Sequence, residues 1–150
     1  MDPGSKQAAT ADLIAAHRTF TDRLRRVRKS DVSVAVEGEW SAKELLLHLG
    51  SWNELLYLDL ERLARGHIPV LAAFVPEEVD DWNAALMRGR AEFPFKQALF
   101  ELGDRYDRLK NAIDALADHL FERDGIAARL VRSQALHYSL HTRSLTESLK

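Results

Sequence analysis

Apolar positions recur along most of this chain at spacings of three and four, the period of one helix face and not the alternation of a strand. Leu13, His17, Phe20, Leu24 and Val27 set the first such stripe, on a helix expected over residues 10–29 with Thr10 as its cap. Residues 1–9 are small and polar, with Pro3 and Gly4, and read as a disordered lead-in to a folded domain at 10–150. Residues 30–40 then break the period with β-branched side chains and a glycine, the look of an extended crossover. Ser41-Ala42-Lys43-Glu44 is a capping box, in which serine and glutamate each satisfy an orphan amide. Trp40 just before it is placed to staple onto Leu45. The helix it opens should reach about residue 65 and stop at Gly66, with Leu45, His48, Leu49, Trp52, Leu55, Leu56 and Leu63 on its apolar face.

A long connection follows over 66–80, with an apolar tip at 70–75, and connections of that length are usually functional or covering. A short helix is expected over 79–92. Phe93-Pro94-Phe95 interrupts it, with Pro94 suited to the first turn of the next helix. There Leu99, Leu102, Tyr106, Leu109, Ile113, Leu116 and Leu120 form a clean seam until Arg123-Asp124-Gly125. A last helix should start near residue 127, with Leu130, Gln134, His137, His141, Leu145 and Ser148 on one face. There is no repeat and no low-complexity tract. The expected architecture is all-α: a four-helix bundle with a long crossover connection and one short extra helix.

Composition changes this picture little. The 150 residues suit one domain, and 46% apolar with 29% charged residues is an ordinary globular balance. A net charge of −2 gives no global pull toward nucleic acid or an anionic membrane, so no nucleic-acid partner is indicated. Arg23, Arg25, Arg26, Arg28 and Lys29 cluster near a helix C-terminus, where the dipole favours positive charge. No stretch approaches the ~18 apolar residues of a membrane span, and no secretory leader is apparent, so a cytoplasmic protein is expected. Cysteine is absent, so disulfides, thiolate nucleophiles and Cys-ligated metals are excluded.

The candidate chemistry lies on the core-facing stripes. His137 and His141 are four apart, so two imidazoles can point at one spot. Imidazoles on such a face are costly without partners, and a shared metal is one good partner. His48 is a third core-facing imidazole, on another long helix. Three nitrogen ligands leave a coordination position open, the pattern of a catalytic site. The reading beside it is three separately satisfied core histidines, the same reading that suits His17. The zinc-protease motif H-E-x-x-H is excluded, because Tyr138 stands where its glutamate would be. Tyr138, Asn53 and Asp59 are the catalytic candidates, Asp59 as a base or ligand-orienting group if it is not simply paired with Arg62 or Arg65. Trp52 is a candidate pocket wall. His67 and His119 sit at helix ends and are assigned nothing.

The segment Trp40-Ser41-Ala42-Lys43-Glu44-Leu45-Leu46-Leu47-His48-Leu49-Gly50-Ser51-Trp52 resembles the second-helix signature of the DinB/YfiT-like superfamily, and His137-x-x-x-His141 matches its last-helix pair. Asp81-Trp82-Asn83-Ala84-Ala85-Leu86, followed by Phe93-Pro94-Phe95, resembles the ClbS/DfsB branch. The resemblance covers residues 10–149. It implies a four-helix bundle, often dimeric, that in many members holds nickel or zinc through three histidines at these places. It also implies relatives that are thiol-dependent transferases and isomerases. ClbS-like members instead protect cells from a reactive genotoxin, a stress-response role, and are not defined by a metal. Three functions are therefore expected as alternatives: a metal-dependent enzyme acting on a small electrophile with a low-molecular-weight thiol co-substrate, a ClbS-like protective protein, or a non-catalytic interaction bundle. A homodimer is expected from the resemblance and from the apolar 70–75 tip.

Overall fold

The computed structural model describes residues 5–73 and 75–149. Five α-helices run through them: α1 (Lys6–Leu24), α2 (Ala42–Ala64), α3 (Val79–Met87), α4 (Phe95–Ala115) and α5 (Ile126–Ser148). Four are long and one is short, which is the all-α architecture the periodicity predicts. The crossover between α1 and α2 holds an antiparallel hairpin of β1 (Ala35–Glu37) and β2 (Trp40–Ser41), pairing Ala35 with Ser41 and Glu37 with Trp40. No helix among the described residues is long and apolar enough to cross a membrane.

The first helix starts earlier than expected. Ser5 accepts the Ala8 amide at 3.1 Å and caps α1, while the Thr10 hydroxyl merely donates back to the Lys6 carbonyl. Serine offers the same capping chemistry one turn sooner, so residues 5–9 are cap and helix, not disordered lead-in. Residues 1–4 of that stretch, and Phe74 of the apolar tip, lie outside the described residues. The helix also ends sooner, at Leu24, leaving Val27 in the following turn.

The chain divides into two compact units, one made of the chain through residue 46 with everything from 118 onward, the other of 47–117. In the first unit, α1 and α5 run side by side in the same direction. Lys6 pairs with Asp118 near their starts, and the Arg23 guanidinium donates to the Leu145 and Leu149 carbonyls near their ends. Arg23, read from sequence as a favourable charge at its own helix end, thus satisfies orphan carbonyls of another. The core here is Ala9, Leu13, Phe20 and Leu24 against Ala127, Val131, Ala135, Tyr138 and Leu145. At roughly 1.5–3 kcal/mol per buried large apolar side chain, this packing outweighs any single cap or ion pair. Before α5, Arg123 and Asp124 both take left-handed backbone, and a Cβ on Gly125 would sit 2.3 Å from the Leu120 carbonyl oxygen. Only glycine fits that entry to the helix.

In the second unit, α2 packs against α4. A Cβ at Gly50 would lie 3.6 Å from the Leu102 Cα, so the backbones approach closely there. Leu49, Leu56 and Leu60 and the α4 face of Ala98, Leu102, Tyr106, Leu109 and Ile113 are buried. The expected seam holds from Leu102 to Leu116 and departs at its first position, where Ala98 is inside and Leu99 is 44% exposed. Leu120 belongs to a short 3-10 helix, Asp118–Leu120, beyond α4. Gly66, at φ +76°, ends the segment after α2 as expected. Pro94 sits at the N-cap of α4, one position before the first turn.

Candidate metal centre

The capping box forms as the sequence predicts. The Ser41 amide donates to Glu44 Oε1 at 3.1 Å and the Glu44 amide to Ser41 Oγ at 3.4 Å. The box sets the start of α2, and His48 lies two turns further along that unbroken helix, 4% exposed. On α5, His137 and His141 share a face with ring centroids 4.7 Å apart. His48 lies in the second unit, and His137 and His141 lie in the first. His67 and His119 are exposed.

The α5 pair has built surroundings. His137 Nδ1 is 3.2 Å from Gln134 Oε1, one turn back on the same helix. His141 Nδ1 is 3.1 Å from Glu37 Oε1, at the end of β1, and the Ser144 hydroxyl donates to that same oxygen. Ser148 Oγ also donates to the Val36 carbonyl at 2.7 Å, so the hairpin is tied to the last turns of α5. Burial, then the charge of His141, pushes His137 down to about 3. Burial also lowers His141, opposed by the Glu37 carboxylate. Both rings are therefore neutral near pH 7, the state in which imidazole has a lone pair to give. An all-nitrogen donor set held neutral suits a late divalent metal such as nickel or zinc.

The other candidates fall elsewhere. Tyr138 is fully buried and packs edge-on against His17 (5.4 Å) and Phe20 (5.6 Å), inside the α1–α5 core. It follows His137 in sequence but is turned about 100° around the helix, so it packs on α1. Asp59, also buried, accepts the Val70 amide at 2.7 Å and the Leu71 amide at 2.8 Å. It caps the 3-10 helix Val70–Ala73 and anchors the long connection, pairing with neither arginine in those bonds. Asn53 is fully buried on α2. Trp52 stands 6.4 Å from His48, ring centre to ring centre, and its Nε1–H donates to Asn83 Oδ1 at 2.9 Å. Trp82 is 6.5 Å from Trp52 in the same unit, so the Trp82-Asn83 stretch meets the helix of His48 through Trp52.

Glu37 is a partner of His141 that the sequence reading missed. It lies 104 residues from His141, on a segment with no periodicity, and no local pattern announces it. Gln134 did carry a signal, standing three residues before His137 on the stripe.

No curated protein matches the chain. Two solved structures share its fold. One is a crystal structure of an uncharacterised protein from Escherichia coli UTI89, at TM-score 0.82 and 16% identity over 97% of this chain and 93% of that one. The other is the colibactin self-resistance protein ClbS in complex with a dsDNA, at TM-score 0.81 and 16% identity over 98% of this chain and 96% of that one. That complex overturns the expectation that no nucleic acid is indicated. Net charge is a sum over the whole surface, whereas phosphate contacts are made locally, so a value of −2 was never an argument against them. The sequence profile of the DinB superfamily matches residues 7–144, nearly the whole chain, with the capping box, His48 and the α5 histidine pair inside the match. The chain belongs to the DinB superfamily.

Proposed function

We propose that this protein binds one divalent metal, nickel or zinc, through His48, His137 and His141 and acts on a reactive small molecule with a low-molecular-weight thiol as co-substrate. One observation carries the reading: His137 and His141 share one face of α5 with ring centroids 4.7 Å apart, and burial lowers the pKa of both. Three imidazole ligands leave a position open for substrate. The metal would supply Lewis acidity, making a thiol at the open position nucleophilic near neutral pH. The thiol has to come from solution, since the chain has no cysteine. The protein's own part is to keep the imidazoles neutral and oriented, with Trp52 flanking His48. Protein prepared without nickel resin should contain close to one metal per chain, and should consume a model electrophile faster with thiol than His48→Ala does. Equal rates for the two proteins across several thiols and electrophiles would refute the thiol-transfer reading.

A second reading is favoured by the Trp52–Asn83 hydrogen bond, which sets the ClbS-like Trp82-Asn83 stretch beside His48's neighbour. In it the protein protects against a reactive compound without needing a metal, and contact with double-stranded DNA is part of its action. Titration of metal-free protein into a labelled DNA duplex at two salt concentrations tests it. Salt-dependent binding would support this reading, and no binding at the lower salt would count against it.

A further inference from the structure

We infer that Glu37, carried on the crossover hairpin, is a positioning residue that fixes His141 as the Nδ1–H tautomer and so aims its Nε2 lone pair at the metal. The inference rests on the metal reading above and adds to it a residue from outside the helices. A carboxylate has only acceptors, so the 3.1 Å contact between Glu37 Oε1 and His141 Nδ1 requires the proton to be on Nδ1. The ring's remaining lone pair is then on Nε2, and a neutral imidazole has no other to offer a metal. Ser144 holds the same carboxylate oxygen from one turn further along α5, so the carboxylate is itself held in place. Ser148, donating to the Val36 carbonyl, fastens the strand that carries Glu37. The hairpin is thereby the second layer of the site, the arrangement by which a carboxylate orients a ligating histidine and raises its basicity. Gln134 stands in the corresponding place on His137, though its amide offers both a donor and an acceptor and so enforces a tautomer less strictly.

The test compares Glu37→Ala, Glu37→Gln and Ser148→Ala with wild type by two measurements. One is zinc affinity by competition with a chromophoric chelator. The other is the nitrogen chemical shifts of His141 in the metal-free protein, which report the tautomer directly. Glu37→Ala should weaken zinc binding by roughly 10–100-fold and turn His141 into a mixture of tautomers. Glu37→Gln keeps an acceptor oxygen and should recover part of both. Ser148→Ala loosens the hairpin but keeps the carboxylate, so it should weaken zinc binding less than Glu37→Ala does and leave His141 as the Nδ1–H tautomer, which separates positioning from simple hairpin stability. Wild-type tautomer and affinity in Glu37→Ala would overturn this inference alone, provided His137→Ala still abolishes binding. Undiminished zinc binding in both His48→Ala and His137→Ala would overturn the metal reading, and the inference with it.

Discussion

The two long irregular connections, the crossover before α2 and the segment after it, each meet a carboxylate, and they use it in opposite senses. In the crossover, Glu37 belongs to the connection and reaches out to His141 and Ser144 on α5. In the segment after α2, Asp59 belongs to the helix, and the connection brings its own Val70 and Leu71 amides to it. Asp59 is spent on backbone: two short charge-assisted bonds occupy both of its oxygens and fold the chain over it. Glu37 acts on a side chain whose chemistry depends on where its proton sits. A carboxylate's role is thus set by the kind of donor it receives, not by its distance in sequence from a histidine. Asp59, on the same helix as His48, bonds two backbone amides. Glu37, 104 residues from its partner, is the one that bonds a histidine.

The largest effect that would sharpen this contrast is on the histidine side. His137→Ala should lose stoichiometric metal, read by elemental analysis after dialysis, whereas Asp59→Ala should keep it. If both variants keep it, the site is misassigned. The same pair makes a pH prediction. In the folded protein His137 is pushed down to about 3, below the ordinary histidine value of about 6.5, so between those values the unfolded chain holds more protons. Its contribution to stability is therefore complete above about 6.5 and is lost as pH falls toward about 3. Urea midpoints of metal-free wild type should drop more steeply between pH 7 and pH 4 than those of His137→Gln. Parallel curves would show that His137 titrates normally.

Most of the fold was legible because helices announce themselves locally. The capping box at Ser41, the apolar stripes of α1 and α4, and the left-handed stop at Gly66 are all written within a few residues of where they act. The errors were at single positions and at helix ends. Leu99 was placed inside because leucine outranks alanine in hydrophobicity, yet Ala98 is what fits the tight face of α4. The start of α1 moved to Ser5 because serine and threonine cap alike and sequence alone does not choose between them. Spacing placed each of the three histidines on a helix, and each is on one: His48 on α2, His137 and His141 on α5. Glu37 was illegible because a hairpin contact across the chain leaves no periodic trace, and the packing of Tyr138 on α1 was illegible because adjacency in sequence is not adjacency on a helix surface.

On the anchoring side, Asp59→Ala should cost about 1–3 kcal/mol, since two amides lose a charged acceptor and one buried carboxylate is deleted. Asp59→Asn retains one acceptor oxygen and should cost less. Hydrogen exchange at Val70 and Leu71 should quicken in both variants while the α5 amides stay protected. A loss of zinc affinity in Asp59→Asn with stability intact would break the comparison, because it would return Asp59 to the site.

The smallest expected effect lies where the hairpin becomes helix. Ser41 ends β2 and also caps α2, so the strand that carries Glu37's partner residue and the helix that carries His48 share one cap. Ser41→Ala removes the hydroxyl that accepts the Glu44 amide but leaves the Ser41 backbone amide still able to donate to Glu44. Half of the reciprocal box survives, so the loss should be about 1 kcal/mol by urea unfolding, and Ser41→Asp should restore most of it. Fraying at a helix start is confined to its first turn, and His48 lies beyond that turn with buried Leu45, Leu46 and Leu49 around it. Zinc affinity should therefore stay at the wild-type value in Ser41→Ala. A drop in affinity matching that of Glu37→Ala would mean that the cap, and not the carboxylate, is what holds the hairpin side of the site in place.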